Sequence, residues 1–421
     1  MNIRFLAALI LCAATAAGHA EPRDQARRIH DRLTGVPPSD AMLDAMTTAV
    51  ASGAEGAVTA AHYAIDGAPG VPSTGDFYTV TLKNWATPWT NEGRDSFAPL
   101  NDYSATVIGM VRDEIDFREL LAGDILYVGA GAGIPEYSNA SNAHYEALER
   151  SGANLGDTDV LVGESQSSFT EVSAQGVAGV MTTRAAARAF FVDGTNRAML
   201  RFTLLNHLCM DLEELKDATR PSDRIRQDVS RSPGGDSTLF LNQCVGCHSG
   251  MDPMAQAFAY YDFPYPSADD RPGLSLDERK DLGRMVYTEG AVQPKYGINA
   301  TTFAPGYVTA DDHWGNYWRV GANSARIGWR NAAGNSGAVD TVNDARITEG
   351  DGAASLGWEL ANSEAFSWCQ VEKVFSAVCL REPAPTAADT QAMTEFVGTF
   401  NATHNVKQVF AEVAGYCSSH L

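Results

Sequence analysis

Residues 244–248 read Cys-Val-Gly-Cys-His, and this pentapeptide decides how the rest of the sequence is interpreted. Two thiols three residues apart lie on one side of a helical turn, and a histidine follows directly. This is the spacing of c-type haem attachment, in which the thiols add to the porphyrin vinyl groups and the histidine binds the iron. The pattern predicts one covalent haem per chain, attached at Cys244 and Cys247, with His248 as the axial iron ligand.

Two other interpretations of the same cysteines are a disulfide between them and one half of a zinc site. A structural zinc site needs four ligands, commonly arranged as two Cys or His pairs. The sequence contains no second Cys/His pair at ligand spacing. Haem attachment is therefore the favoured interpretation of Cys244 and Cys247.

The second axial ligand of the predicted haem is left open by the sequence. Met251 lies three residues after His248 on the same helical face, so it cannot oppose that histidine across the porphyrin. Met285 follows at a separation that small cytochromes often use, and His313 lies in a Trp-rich stretch. The alternatives are Met285, His313 or an open position.

The N-terminal residues 1–20 have the pattern of a secretory signal peptide. Arg4 precedes the apolar run 5–17, and residues 18–20 (Gly-His-Ala) form a small-x-small cleavage site. Cys12 follows a leucine where lipoprotein processing needs a small residue, which favours soluble export over a lipid anchor. No later stretch approaches the 18 uninterrupted apolar residues of a membrane span. We therefore expect a periplasmic or secreted protein that is not transmembrane.

The chain is strongly acidic. It contains 31 Lys and Arg against 52 Asp and Glu, a formal net charge of −21, and removal of Arg4 with the signal peptide makes this −22. Such a charge argues against nucleic acid or an anionic membrane as a partner. Solubility is the favoured interpretation of the charge, and steering of a basic redox partner protein is the alternative. The oligomeric state is not predicted.

The mature chain has four further cysteines, an even number that suits two disulfides in an oxidising compartment. They are Cys209, Cys369, Cys379 and Cys417. If residues 364–379 form one helix, Cys369 and Cys379 are about 15 Å apart, beyond the roughly 7 Å that a disulfide can bridge. We favour Cys379 with Cys417, because the following helices can return the chain to Cys379. Cys209 with Cys369 then follows by elimination.

Helical periodicity dominates the rest of the sequence, with one strand expected at Phe77–Leu82. Ser39 is expected to cap a helix through Val50. The predicted helical ranges are 25–33, 39–50, 57–65, 105–121, 183–192, 197–208, 255–261, 364–379, 386–402 and 406–416. The fold class is therefore mainly α: a multi-helix body with a covalent c-type haem segment, a long irregular region and a C-terminal helical hairpin.

The chain divides into five predicted segments. They are a signal peptide (1–20), an N-terminal helical domain (21–180), a haem-bearing segment (181–265), an irregular Gly/Asn/Trp-rich region (266–357) and a C-terminal helical segment (358–421). Within the second, residues 124–133 (DILYVGAGAG) imitate a dinucleotide-binding loop. The third glycine of that fingerprint is replaced by Ile134, and Pro135 stands where the helix should begin. We interpret this stretch as a glycine-rich connection.

The surroundings of the pentapeptide resemble the planctomycete-type cytochrome proteins. Residues 244–263 (CVGCHSGMDPMAQAFAYYDF) resemble the haem segment of that family, with Asp-Pro after the motif and a later aromatic-Asp. Residues 177–209, 108–128 and 366–383 resemble its pre-haem segment, N-terminal helical domain and C-terminal helix. One departure is that the usual glycine after Asp-Pro is absent. The resemblance implies a secreted, haem-binding protein and says little about the reaction.

Three functions are compatible with a single covalent haem. A periplasmic electron carrier is the leading interpretation. A haem-dependent oxidoreductase, with peroxide or oxygen at an open sixth site, is the alternative, and the length of the chain favours it somewhat. The third is a haem-bearing binding or sensor protein whose Trp-rich loop recognises a ligand. Fold alone does not distinguish them, so any catalytic residues remain unassigned.

Overall fold

The computed structural model describes residues 21–192, 194–297, 303–329 and 349–419. The predicted signal peptide lies outside the described residues. Helices predominate in the described ranges, so the mainly α prediction is confirmed. None of these helices is long and apolar enough to cross a lipid bilayer.

The α-helices follow the chain from its N-terminal to its C-terminal part. They are α1 (Pro22–Thr34), α2 (Asp40–Val50), α3 (Ala54–Asp66), α4 (Lys83–Ala86), α5 (Asp102–Arg112), α6 (Glu119–Ala122), α7 (Ala143–Arg150), α8 (Gln166–Phe169), α9 (Arg184–Phe190), α10 (Arg197–Thr203), α11 (Ser237–Leu239), α12 (Val245–Ala255), α13 (Leu276–Asp281), α14 (Ala322–Ile327), α15 (Gly352–Ala361), α16 (Glu364–Cys379), α17 (Ala387–Thr403) and α18 (Val406–Ser419). Within the described ranges, three further stretches are π-helical: Phe77–Leu82, Leu204–Leu208 and Phe240–Cys244.

The strands of the described residues form two-stranded antiparallel pairs. They are β1 (Gly67–Ala68) with β2 (Val71–Pro72), β3 (Leu126–Gly129) with β4 (Leu161–Glu164), β5 (Tyr261–Asp262) with β6 (Val286–Tyr287), and β7 (His313–Gly315) with β8 (Glu349–Asp351). The glycine-rich stretch therefore continues an antiparallel strand. Gly131 and Gly133 adopt positive φ in the connection that follows β3.

Side-chain caps begin the helices whose bounds were predicted best. Ser39, Ser363 and Thr386 each accept a hydrogen bond from the backbone N–H three residues on, at 3.1–3.2 Å. Each cap satisfies a backbone donor that has no partner inside the helix. The predicted bounds of α16 are confirmed, and those of α17 are confirmed to within one residue.

The strand predicted at Phe77–Leu82 is wrong. This stretch is a π-helical turn that runs directly into α4. Its buried side chains are Phe77, Tyr78 and Leu82, a spacing that a wide π turn brings to one side. The β-branched and aromatic residues gave a strand signal, because strand propensity reflects packing more than backbone preference.

Two predicted helices end earlier than expected. In the range 105–121, α5 ends at Arg112, Glu114 adopts a left-handed φ of 56°, and the helix resumes only at α6. In the range 255–261, α12 ends at Ala255 and a 3₁₀ turn follows, after which Tyr261 pairs with Tyr287 as part of a strand. Tertiary pairing overrides helical periodicity in the second case.

One contiguous hydrophobic core joins the four segments predicted for the mature chain. It includes Leu33, Met254, Trp318 and Phe375, one from each segment. At one end, α18 packs against α1, α3 and α16, and elsewhere α12 packs against α10 and β7. The core therefore holds α12, which carries the pentapeptide, from more than one side. The segment boundaries themselves stay predictions.

Both favoured cysteine pairs are brought together. Cys209 and Cys369 form one disulfide with their Cα atoms 5.3 Å apart, and Cys379 and Cys417 form the other with theirs 5.5 Å apart. Because α16 is continuous, Cys369 and Cys379 lie in separate turns and bond to different partners. The first bridge ties the chain before the pentapeptide to α16, and the second ties α16 to α18.

We expect non-reducing peptide mapping to recover these two linkages. Replacing Cys379 and Cys417 together by serine should lower the free energy of unfolding by about 4 kcal/mol, because a closed loop of this size restricts the unfolded chain. Chemical denaturation measures the change. A linked peptide containing Cys369 and Cys379 would contradict both the pairing and the continuous helix.

Candidate functional site

The pentapeptide spans the start of α12. Cys244 ends the π-helical stretch Phe240–Cys244, and Cys247 and His248 lie in the first turn of α12. Both thiols are unpaired, whereas the other four cysteines of the described residues form the two disulfides. The fold therefore leaves only the cysteines of the predicted attachment motif as free thiols in the described part of the chain.

The chain just before the motif folds against it. The Cys247 thiol donates to the carbonyl oxygen of Leu212 at 3.5 Å, and the backbone N–H of Asp217 donates to the carbonyl of Gly246 at 3.1 Å. Burial and the nearby Glu213 carboxylate raise the pKa of the Cys247 thiol. Redox-active Cys-x-x-Cys motifs show the opposite shift, so this environment disfavours thiol–disulfide chemistry.

His248 is held by a buried carboxylate on its own helix. Its Nδ1 lies 3.0 Å from Oδ1 of Asp252, one turn further along α12. The His248 side chain is 19% exposed and that of Asp252 is completely buried. Among the described residues, His248 makes no other hydrogen bond. Nε2 is therefore the ring nitrogen left available to a metal.

The Asp252 carboxylate takes part in four hydrogen bonds. Besides His248, Oδ1 accepts from Nε of Arg197 at 2.7 Å, while Oδ2 accepts from Nη2 of Arg197 at 3.0 Å and from the backbone N–H of Arg226 at 3.2 Å. Burial on its own would raise the pKa of Asp252, but Arg197 and the hydrogen bond to His248 hold it well below its ordinary value. Both carboxylate oxygens therefore act as hydrogen-bond acceptors.

A second carboxylate completes the ion cluster. Arg197 also donates to both oxygens of Asp228, at 2.7 and 2.8 Å. The Arg226 side chain donates to the backbone and the hydroxyl of Thr195, which in turn donates to Asp228. Two arginines and two aspartates thus connect α10, the loop before α11 and α12.

An apolar surface flanks the two thiols. Leu239 and Leu241 remain 37% and 59% exposed, although they lie within five residues of Cys244. Phe240, between them, is buried in a small cluster that Cys244 contacts, and its ring lies 6.5 Å from the ring of His248. Exposed leucines next to a buried phenylalanine form a surface that an apolar ligand could cover.

The contacts around Met285 and His313, the sequence candidates for the second axial position, involve residues at or beyond the carboxyl end of α12. The carbonyl of His313 accepts from Arg224 at 2.6 Å, and Arg224 also contacts Gln256. Gln256 lies eight residues after His248, roughly 12 Å along a helix. Met285 is buried beside β6, which pairs with β5 beyond that same end. These contacts connect both candidates to residues at or beyond the carboxyl end of α12, whereas His248 lies in its first turn.

The ring of His313 is also engaged elsewhere. Its Nδ1 lies 2.9 Å from Asp351 and its Nε2 lies 3.5 Å from Glu349. The hydrogen bond to Asp351 raises the pKa of this imidazole. A protonated imidazole has no lone pair for a metal, so the carboxylates compete with any ligand role for His313.

Sequence reasoning missed Asp252, Arg197 and Asp228. The signal for Asp252 was present, because a residue four positions after His248 lies on the same helical face. Arg197 and Asp228 are distant in sequence, and only the packing of α10 on α12 shows their connection. Within the described ranges, His, Cys, Asp and Glu side chains form no cluster of three or more that could hold a metal ion.

Comparison of the chain with known protein families, with curated proteins and with solved structures gives no match. The site is therefore interpreted from its own residues.

Close packing fixes the middle of α12. A Cβ added at Gly250 would lie 2.1 Å from Nε1 of the buried Trp318 indole. Gly250→Ala should therefore lower the free energy of unfolding by about 1–3 kcal/mol through overpacking.

Gly246→Ala is the matched control in the same helix, because its added Cβ would approach no atom closer than 3.4 Å. Higher helix propensity should make that change neutral or stabilising by up to about 1 kcal/mol. Denaturant unfolding of both variants measures the two changes in the free energy of unfolding. Equal destabilisation by the two alanines would contradict the packing of α12 on Trp318.

Proposed function

We propose that this protein is an exported mono-haem c-type cytochrome that transfers electrons, with the haem attached at Cys244 and Cys247 and His248 as axial ligand. The observation that carries the proposal is the Cys-x-x-Cys-His sequence at the start of a helix, with both thiols unpaired and His248 engaged only through Nδ1. When bound, the haem supplies an iron that gains and loses one electron.

The division of these six cysteines into two disulfides and one free pair supports this proposal. In an oxidising compartment, free thiols are lost to disulfides unless the fold separates them from partners. Here four cysteines are committed to two bridges that hold the C-terminal helices. Cys244 and Cys247 are left half-buried, one helical turn apart and beside His248. Two free thiols on one turn are what thioether attachment requires.

The surroundings of the motif also fit a covalent haem. The exposed Leu239 and Leu241 provide apolar surface next to Cys244, and Phe240 lies close to the histidine ring. Apolar cover keeps water from a haem and raises its reduction potential. On the opposite side, Gly250 against Trp318 fixes the helix that carries His248. These residues would orient the ligand and exclude water from one face of the group.

The predicted export and the acidic composition also support a periplasmic or secreted cytochrome. The N-terminal pattern predicts release into the periplasm or outside the cell, where c-type haem is attached in bacteria. The net charge of −21 disfavours nucleic acid and anionic membranes as partners. It would also attract a basic redox partner, as an addition to its effect on solubility.

We expect purified exported protein to retain haem under denaturing conditions. Haem-stained denaturing gels should show a band at the mature mass, and the alkaline pyridine spectrum should be that of a haem with saturated side chains. Cys247→Ala should abolish the stained band, because one thioether bond is lost and maturation is impaired.

His248→Ala should give little mature haem protein, whereas His62→Ala, which changes a histidine that contacts Gln408 in the helical bundle, should leave haem content unchanged. Haem that is removed by acid–acetone extraction would refute covalent attachment. Normal haem content in His248→Ala would refute the axial assignment.

A haem oxidoreductase is the second candidate, and the placement of Met285 and His313 favours it. The residues that contact them lie at or beyond the carboxyl end of α12, away from the turn that carries His248, and this would leave the iron accessible to peroxide or oxygen. The paramagnetic-resonance spectrum of the ferric protein distinguishes the two functions. Six-coordinate low-spin iron supports the electron carrier, and high-spin iron supports the enzyme.

We expect His313→Ala and Met285→Leu to leave the visible spectrum of the haem protein unchanged. The His313 ring is committed to Asp351 and Glu349, and Met285 packs beside β6. Absorption spectra of the oxidised and reduced variants check this expectation. Conversion of a low-spin spectrum to a high-spin one in either variant would identify that residue as the second ligand.

A further inference from the structure

We infer that Asp252 is a positioning residue for His248: it fixes the imidazole with its proton on Nδ1 and strengthens Nε2 as an electron donor to iron. This inference rests on the proposed haem attachment. It adds a determinant of the reduction potential that lies outside the Cys-x-x-Cys-His motif.

The hydrogen bond between the two side chains has a defined direction. Both oxygens of Asp252 already act as acceptors, because they receive three hydrogen bonds from groups that can only donate: the guanidinium of Arg197 and the backbone N–H of Arg226. At 3.0 Å, Nδ1 of His248 must therefore be the donor. The proton on Nδ1 leaves the lone pair on Nε2, and this is the tautomer that binds a metal.

Asp252 is itself held rigidly. It is completely buried, and both its oxygens accept hydrogen bonds from the planar guanidinium of Arg197. The same guanidinium also donates to both oxygens of Asp228. A carboxylate with four hydrogen bonds cannot rotate without breaking several of them. The imidazole therefore receives its orientation from the core, as metal-binding histidines commonly do through a second partner.

The electronic effect follows from the charge. A carboxylate that accepts from Nδ1–H draws the proton towards itself and increases electron density on the ring, which raises the basicity of Nε2. A stronger donor stabilises the more highly charged ferric iron relative to ferrous iron. Asp252 should therefore lower the reduction potential below that of a haem whose histidine donates to a neutral acceptor.

A purely structural role for Asp252 makes different predictions. If the carboxylate served only to pair Arg197, its removal would lower stability without moving the haem potential. The matched control is Asp389→Asn, which removes another buried, arginine-paired carboxylate in the C-terminal helices. It reports the general effect of losing a buried ion pair.

The experiment is a spectroelectrochemical titration of the haem protein. Asp252→Asn should shift the midpoint potential upwards, Asp252→Glu should return it towards the wild-type value, and Asp389→Asn should leave it unchanged. An unshifted potential in a folded Asp252→Asn protein, or an equal shift in Asp389→Asn, would overturn the inference.

A second measurement needs neither haem nor a stable Asp252 variant. In wild-type protein labelled with ¹⁵N-histidine, the ring shifts of His248, assigned by comparison with His248→Gln, should be those of the Nδ1–H tautomer. The Nε2–H tautomer would overturn the inference whatever the haem content. Absence of covalent haem from wild-type protein would instead overturn the proposed function, so the two failures are distinguishable.

Discussion

The ion pair between Arg197 and Asp252 is the contact on which the geometry of the candidate site depends. It joins α10 to α12 and occupies both oxygens of a carboxylate that has no exposure to water. Burying such charges is costly, and removing one partner of a buried pair typically destabilises by about 3–5 kcal/mol. Asp228 accepts a further hydrogen bond from Arg197, and the backbone N–H of Arg226 donates a further one to Asp252. The position of His248 is therefore fixed by interactions in the interior.

The disulfides act on a different part of the molecule and complement this cluster. Cys209 follows α10 by only a few residues, and its bridge to Cys369 anchors that chain to α16. The bridge between Cys379 and Cys417 closes the C-terminal helices. The segment between Cys209 and Cys244 is thus attached to the body at its start by a covalent bond and near its middle by the ion cluster. Together they hold the loop that packs against the motif.

Regular helices with side-chain caps could be predicted from the sequence, because their signals are local. Ser39 and the continuous helix from Glu364 to Cys379 are examples, and the second was sufficient to exclude a bond between Cys369 and Cys379. The π-helical stretch at Phe77–Leu82 could not be predicted, because its side-chain spacing matches neither standard period.

Asp252 illustrates a different limit. Its four-residue spacing from His248 is visible in the sequence, but such spacing on a helix most often marks a solvated pair of side chains. Its burial and its bond to Arg197 arise from packing between segments 55 residues apart. Local pattern therefore identified the thiols and the histidine, and only the tertiary structure distinguished this carboxylate from the many others in an acidic chain.

Both positively and negatively charged side chains lie near the imidazole of His248. Arg197, Arg226, Asp228 and Asp252 form a cluster that is neutral as a whole, yet its carboxylate faces the imidazole at hydrogen-bond distance. Arg231 is a positive charge that lies 4.9 Å from the ring of Phe240, and that ring lies 6.5 Å from the ring of His248. Coulomb interactions weaken with distance, so the carboxylate in direct contact with the imidazole outweighs an arginine whose ring contact is with Phe240. A neutral cluster also costs less to bury than a lone carboxylate, which lets the fold place a negative charge against the histidine while keeping the interior stable.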